Sequence, residues 1–124
     1  MPIKKDTKEK FTVYTPDSTT FSANMAEELM AMIREGMASE PPHVIVNLKH
    51  LEQAEEASAQ RLISLQQESY EKNISFVLCG IHKSLEPLFQ QSINRVPSES
   101  EAWDMVQMEE IERELLDQHD DPLL

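Results

Sequence analysis

The run "HVIVNL" at 43–48 constrains the fold more than any other stretch of this chain. It is short, rich in β-branched residues and preceded by Pro41 and Pro42. A strand with one wet face alternates apolar and polar residues, whereas a strand covered on both faces stays apolar. "ISFVLCG" at 74–80 repeats the pattern. Both runs predict inner strands of a parallel sheet, and parallel neighbours need helical crossovers between them.

The intervening sequence supplies such a crossover. A helix is expected from about Ala57 to Lys72, with Leu62, Leu65, Ser69 and its neighbour Tyr70 on the inner side and Asn73 as the stop. Upstream, Ser22 or Asn24 can cap a first helix whose Met25, Leu29, Met32 and Ile33 share a face. Gly36 is the expected end of that helix, and Pro41-Pro42 forbids continuation. "PIKKDTKEKFTVYT" predicts a hairpin, with a strand around Ile3, a turn over Asp6 to Glu9 and a second strand "FTVYT", followed by turn chemistry in "PDST". A short helix over Leu85 to Gln91 and a short strand "INRVP" follow the second apolar run. Ser98 and Glu101 in "SESE" have the spacing of a capping box. They open a last helix, with Met105, Met108, Ile111 and Leu115 at steps of three or four residues and Pro122 as its stop. The expected class is α/β: a single-layer, mixed but mostly parallel sheet of four to five strands, helices packed on it, and an extended C-terminal helix.

The 124 residues suit one domain with a real core. The single cysteine, Cys79, allows no intrachain disulfide and reads as a small core residue. "MPIKKDTKEK" has no apolar signal region, and the longest apolar stretch, "FVLCGI", is too short to span a membrane, so a soluble cytoplasmic protein is expected. Residues 98–124 hold ten acids against one base, Arg113, and so carry nine of the twelve excess negative charges. That sign disfavours nucleic acid and anionic membrane surfaces as partners.

Only two glycines, Gly36 and Gly80, are present, too few for a phosphate-cradling loop. No two of His43, His50, His82 and His119 have metal-ligand spacing on a helix, so neither metal nor cofactor is expected. Ser58 invites a reading as nucleophile, with His82 the nearest candidate base, but no nucleophile-elbow motif surrounds it. No catalytic constellation is expected. Ser58 reads instead as a first-turn residue whose hydroxyl can satisfy a free backbone N–H.

The order of elements, and the sequence from Val44 to Ala102, resemble the STAS domain, the fold of anti-sigma factor antagonists and of related modules in sulfate transporters and stressosomes. The matching pieces are "FSANMAEEL", "VIVNL", "EEAS", "AQRLISLQ", "ISFVLCGI" and "VPSESEA". The resemblance implies a STAS-like domain over residues 1–103 and an acidic helical extension and tail over 104–124. Such domains often carry Asp-Ser-Ser-Gly at the entrance of the helix after the first inner strand, with the second serine as phosphoacceptor for a partner kinase. Aligned without a gap, Glu55 takes the aspartate place, Glu56 the first serine place, Ala57 the phosphoacceptor place and Ser58 the glycine place. Asn47 stands where the strand usually ends in an acid.

The resemblance implies a non-enzymatic regulatory module that binds a protein partner through Glu55, Glu56, Ala57, Ser58 and Arg61, without the usual phosphorylation switch. A one-residue shift of the loop would instead make Ser58 the acceptor. Implied partners are an anti-sigma factor, a serine kinase or phosphatase, or a transporter subunit. The alternative function is an oligomerising or scaffold subunit, a homodimer included, built through Met108, Ile111 and Leu115 of the last helix. That stripe either marks an interface or folds back on the sheet.

Overall fold

The computed structural model describes residues 3–119. In chain order the elements are β1 (Ile3–Thr7), β2 (Phe11–Pro16), β3 (Thr20–Phe21), α1 (Ala23–Met37), β4 (His43–Asn47), β5 (Gln53–Ala54), α2 (Glu56–Glu71), β6 (Phe76–Cys79), a 3₁₀ turn (Lys83–Phe89), β7 (Arg95–Val96) and α3 (Glu99–His119). Five strands form one sheet in the order β1-β2-β4-β6-β7. β1 runs antiparallel to β2, and the other neighbours are parallel. Every residue of β4 and β6 is buried, as their unbroken apolar runs require, and β2 is buried throughout as well, Thr12 and Thr15 included.

Two helices cover one face and one helix covers the other. Met25, Ala26, Leu29 and Ile33 of α1 and Ala59, Leu62, Ile63 and Leu65 of α2 pack on Tyr14, Val44, Val46, Phe76 and Leu78. On the opposite face Phe11, Val13, Ile45, Val77 and Cys79 meet Ala102 and Val106 of α3, with Trp103 and Met105 partly buried beside them. β3 and β5 form a separate two-stranded parallel ladder that ties the loop before α1 to the loop before α2. Two residues per strand carry no periodicity to read, and the sequence shows no sign of this ladder.

Ser22 caps α1, its Oγ accepting from Met25 N at 3.3 Å. Met30 is buried in place of the expected Met32, which lies at the core's margin. Gly36 does not end the helix, which continues to Met37 and closes at Ala38. The glycine is there for space: a Cβ on Gly36 would overlap the Tyr14 hydroxyl. That hydroxyl is buried with no hydrogen-bond partner among the described residues. Asn73, at φ 63°, stops α2 by adopting the left-handed conformation that asparagine tolerates. The 3₁₀ turn begins two residues before the expected short helix and anchors itself through Leu85 and Phe89.

At α3 the capping pair forms, with Ser98 Oγ accepting from Glu101 N at 3.4 Å and donating to Glu101 Oε1 at 3.2 Å. Met105 apart, the sheet-facing residues are not the ones whose size and spacing stand out. Ala102 and Val106 are the anchors, whereas Met108, Ile111 and Leu115 point outward and are 61%, 55% and 49% exposed. The helix therefore does fold back on the sheet, but the stripe stays outside. The expected boundary at 103/104 falls within this continuous helix, and Val106 beyond it still belongs to the core. Pro122, the expected helix stop, lies outside the described residues.

Beyond Val106 the contact becomes polar. Tyr70 Oη donates to Glu109 at 3.1 Å, and Asn94 Nδ2 donates both to Tyr70 Oη and, at 3.2 Å, to Glu109. Arg113 donates to Asn73 Oδ1 at 3.0 Å and to Ser75 Oγ at 2.7 Å. His43 Nδ1 accepts from Ser75 N at 3.1 Å, which leaves the ring proton on Nε2, 2.7 Å from the Glu110 carboxylate. Burial lowers the His43 pKa from its ordinary value; the nearby Arg113 charge adds to this, while Glu110 and Glu109 oppose it.

Two predictions follow from this packing. Gly36→Ala destabilises the fold by about 1–3 kcal/mol, the usual range for overpacking. Tyr14→Phe alone has little effect, because the hydroxyl has no partner to lose, and it rescues much of the Gly36→Ala loss in a double-mutant cycle read by urea unfolding. For His43, the unfolded state binds the proton more readily than the folded state. Its contribution is therefore full above the unfolded value of about 6.5 and is lost as pH falls toward the lower folded value. Urea midpoints measured from pH 7.5 down to pH 5.5 should fall, and fall less in His43→Asn, which retains an acceptor near the Nδ1 position.

Candidate functional site

The C-terminal end of β4 leads into the entrance of α2 through a loop that is hydrogen-bonded on several sides. Leu48 N donates to Cys79 O at 2.9 Å, and Glu52 N and Gln53 N donate to Thr19 O at 2.8 and 3.0 Å. Glu55 N donates to Phe21 O at 3.1 Å, and Ser84 Oγ donates to Glu52 O at 2.8 Å. The helix start is thus held by β3 on one side and by the 3₁₀ turn on the other.

Glu55 has two roles. It is the N-cap of α2, without a side-chain cap bond of its own, and its carboxylate accepts from Ala23 N, the first residue of α1, at 2.6 Å. A carboxylate on the free N–H groups of a helix start is favourable by charge and by dipole. Glu55 therefore ties the two helix entrances together. No local pattern shows this, because the partner lies 32 residues away.

Glu55, Glu56, Ala57 and Arg61 are exposed, and Ser58 is 2% exposed. Four of the five expected partner-binding residues thus reach the surface. Ser58 points into the packing of α2 instead, and its hydroxyl has no hydrogen-bond partner among the described residues. The capping role expected of it is not taken up. His82 does not meet it either: the His82 ring bonds Ser84, with Ser84 N donating to Nδ1 at 3.2 Å. Arg61 borders a shallow groove between α1 and α2, with Met30, Arg34 and Glu68.

Behind the entrance, Asn47 is buried at the end of β4. Its Oδ1 accepts from Lys49 N at 3.1 Å, and its Nδ2 donates to Glu99 Oε1 at 3.1 Å. The other Glu99 oxygen accepts from Trp103 Nε1 at 3.1 Å. Gly80, at φ 68°, lies under this amide, and any Cβ there would crowd Asn47 Oδ1 and Lys49. An amide suits this place because it both donates and accepts; a carboxylate would face Glu99 with no proton to give. Nearby Cys79 is buried, and burial pushes its thiol pKa up to about 12, far from thiolate reactivity.

A family model described as the STAS domain matches residues 2–95. No curated protein matches the sequence. Among solved structures, the anti-sigma factor antagonist SpoIIAA in its unphosphorylated form superposes with a TM-score of 0.68 at 15% identity, covering 85% of this chain and 97% of that one. A serine-to-glutamate variant of RsbS from Moorella thermoacetica gives 0.70 at 12% identity, covering 86% and 96%. A chain of the stressosome, described as a signal integration and transduction hub, gives 0.61 at 10% identity, covering 84% and 96%. At such identities these likenesses show a shared fold. No described helix is long and apolar enough to cross a membrane.

Asn47→Asp tests the amide's role. It places a second carboxylate against Glu99 in a buried site and should lower stability by about 1–3 kcal/mol. Adding Glu99→Gln, which restores a donor opposite the new acid, should recover most of that loss in urea unfolding.

Proposed function

The chain belongs to the STAS domain family, and from that premise we propose that it is a non-enzymatic docking module whose partner surface carries fixed charge in place of a phosphorylation switch. Its fold is that of anti-sigma factor antagonists and of a stressosome component. The partner is a protein of the kind the family resemblance implies: an anti-sigma factor, a serine kinase or phosphatase, or a transporter subunit. The encounter takes place in the cytoplasm.

One observation carries the reading. At the α2 entrance Ala57, which the family resemblance aligns with the phosphoacceptor, is exposed, while the neighbouring hydroxyl, Ser58, is 2% exposed. A phosphate on Ser58 would need room inside packed structure. It would also add up to two negative charges beside Glu55 and Glu56. Glu56 already supplies a permanent charge in the first turn of α2, where the helix dipole favours it. The partner then meets the same surface at all times, and regulation falls to supply of the chain rather than to its modification.

The test has two arms. The wild-type chain and Ala57→Arg, immobilised in parallel, are exposed to an extract of the cells that make the protein, and bound proteins are identified by mass spectrometry. A partner held by the wild type and lost from Ala57→Arg is expected. In the same extract with ATP, the wild-type chain should acquire no phosphate at Ser58. Stoichiometric phosphate there would refute the fixed-charge reading, and a partner indifferent to Ala57→Arg would refute the docking surface.

A further inference from the structure

The outward side of α3 is a second surface, independent of the α2 entrance. Met108, Ile111 and Leu115 fall at i, i+3 and i+7 and form one ridge, with Leu116 beside it and 65% exposed. The ridge is turned away from Ala102 and Val106, so the sheet makes no use of it. Grooves run along both sides. One, of about 520 Å³, lies toward the β1–β2 hairpin; Phe11, Trp103 and Ile111 line it, with Lys8 and Lys10 against Glu9, Glu110 and Glu114 at its rim. The other, of about 420 Å³, is lined by Val96, Met105 and Met108.

We propose that this ridge and its two grooves dock a basic amphipathic helix of a partner protein. A line of apolar side chains at helical spacing between grooves is what helix-in-groove recognition uses. The charge around it chooses the occupant. Asp104, Glu112 and Glu114 are exposed alongside the ridge and make no ion pair or hydrogen bond among the described residues. Arg113, which is the one Lys or Arg of α3, is turned inward to Asn73 and Ser75. A second copy pairing α3 on α3 would bring these acids against their own kind in a drying contact, which like-charge repulsion opposes. A helix flanked by Lys or Arg meets the same acids with opposite charge and steers itself onto them.

The probe is a fluorescently labelled 18-residue peptide of Leu and Lys with Leu at helical i, i+3, i+4, i+7 spacing. Its controls are a scrambled peptide of the same composition and a version with Glu for every Lys. Anisotropy titrations of the full chain should show the patterned Lys peptide binding at least tenfold tighter than either control. Ile111→Ser/Leu115→Ser and, separately, Glu112→Lys/Glu114→Lys should each weaken it at least tenfold, while Ala57→Arg leaves it unchanged. Equal binding of the scrambled peptide, no binding of the patterned one, or indifference to both double variants would overturn the proposal. So would a wild-type dimer in light scattering that Ile111→Ser/Leu115→Ser converts to monomer, since the ridge would then belong to a second copy.

Discussion

The structure depends on one constraint: β4 and β6 are buried on both faces, so both faces of the sheet must be covered. The crossovers from β2 to β4 and from β4 to β6 place α1 and α2 on one side. Only the segment after β7 is left to cover the other. α3 is therefore part of the domain's construction as well as its C-terminal end. Without it Phe11, Val13, Ile45, Val77 and Cys79 would face water together.

How α3 meets that demand explains its composition. A fully buried valine contributes roughly 1.5–3 kcal/mol, whereas ordering each backbone residue costs about 1–2 kcal/mol. Ala102 and Val106 cannot hold a helix of 21 residues by themselves. The polar residues that follow extend the contact: Glu109 to Tyr70 and Asn94, Glu110 to His43, Arg113 to Asn73 and Ser75. These partners sit at the end of α2 and at the starts of β4 and β6. The clamp thus closes on the edge of the sheet where the strands begin, opposite the α2 entrance.

The sequence made the sheet legible because burial on both faces leaves a one-dimensional trace, an apolar run without alternation. It made the helix starts at Ser22 and Ser98 and the stop at Asn73 legible because each rests on local chemistry. The rest depends on distance. Gly36 resembles a helix stop until Tyr14, 22 residues earlier, is seen to need its space. The large Met108, Ile111 and Leu115 outweigh Ala102 and Val106 in any periodicity, yet the smaller residues allow the close approach to the sheet. At the α2 entrance the family resemblance assigns the phosphoacceptor place to Ala57, and that residue is exposed. The resemblance cannot show that Ser58 turns inward, or that Glu55 reaches across to α1.

The acidity of the chain is also not one uniform solvated face. Glu55 serves the start of α1, Glu99 holds Asn47 and Trp103, and Glu109 and Glu110 grip the sheet's edge. Each of these carboxylates accepts from a donor that would otherwise be left without its partner, so each has a structural reason to be acidic. Asp104, Glu112 and Glu114 have none, and they are the ones beside the exposed ridge. An apolar ridge on a soluble helix invites self-association. Acids outnumber bases along both flanks, Lys8 and Lys10 lying on the hairpin side only, and this excess opposes pairing with an identical ridge while leaving it open to a helix of opposite charge. The same sign of charge that holds α3 down on its inner side thus restricts what can approach on its outer side.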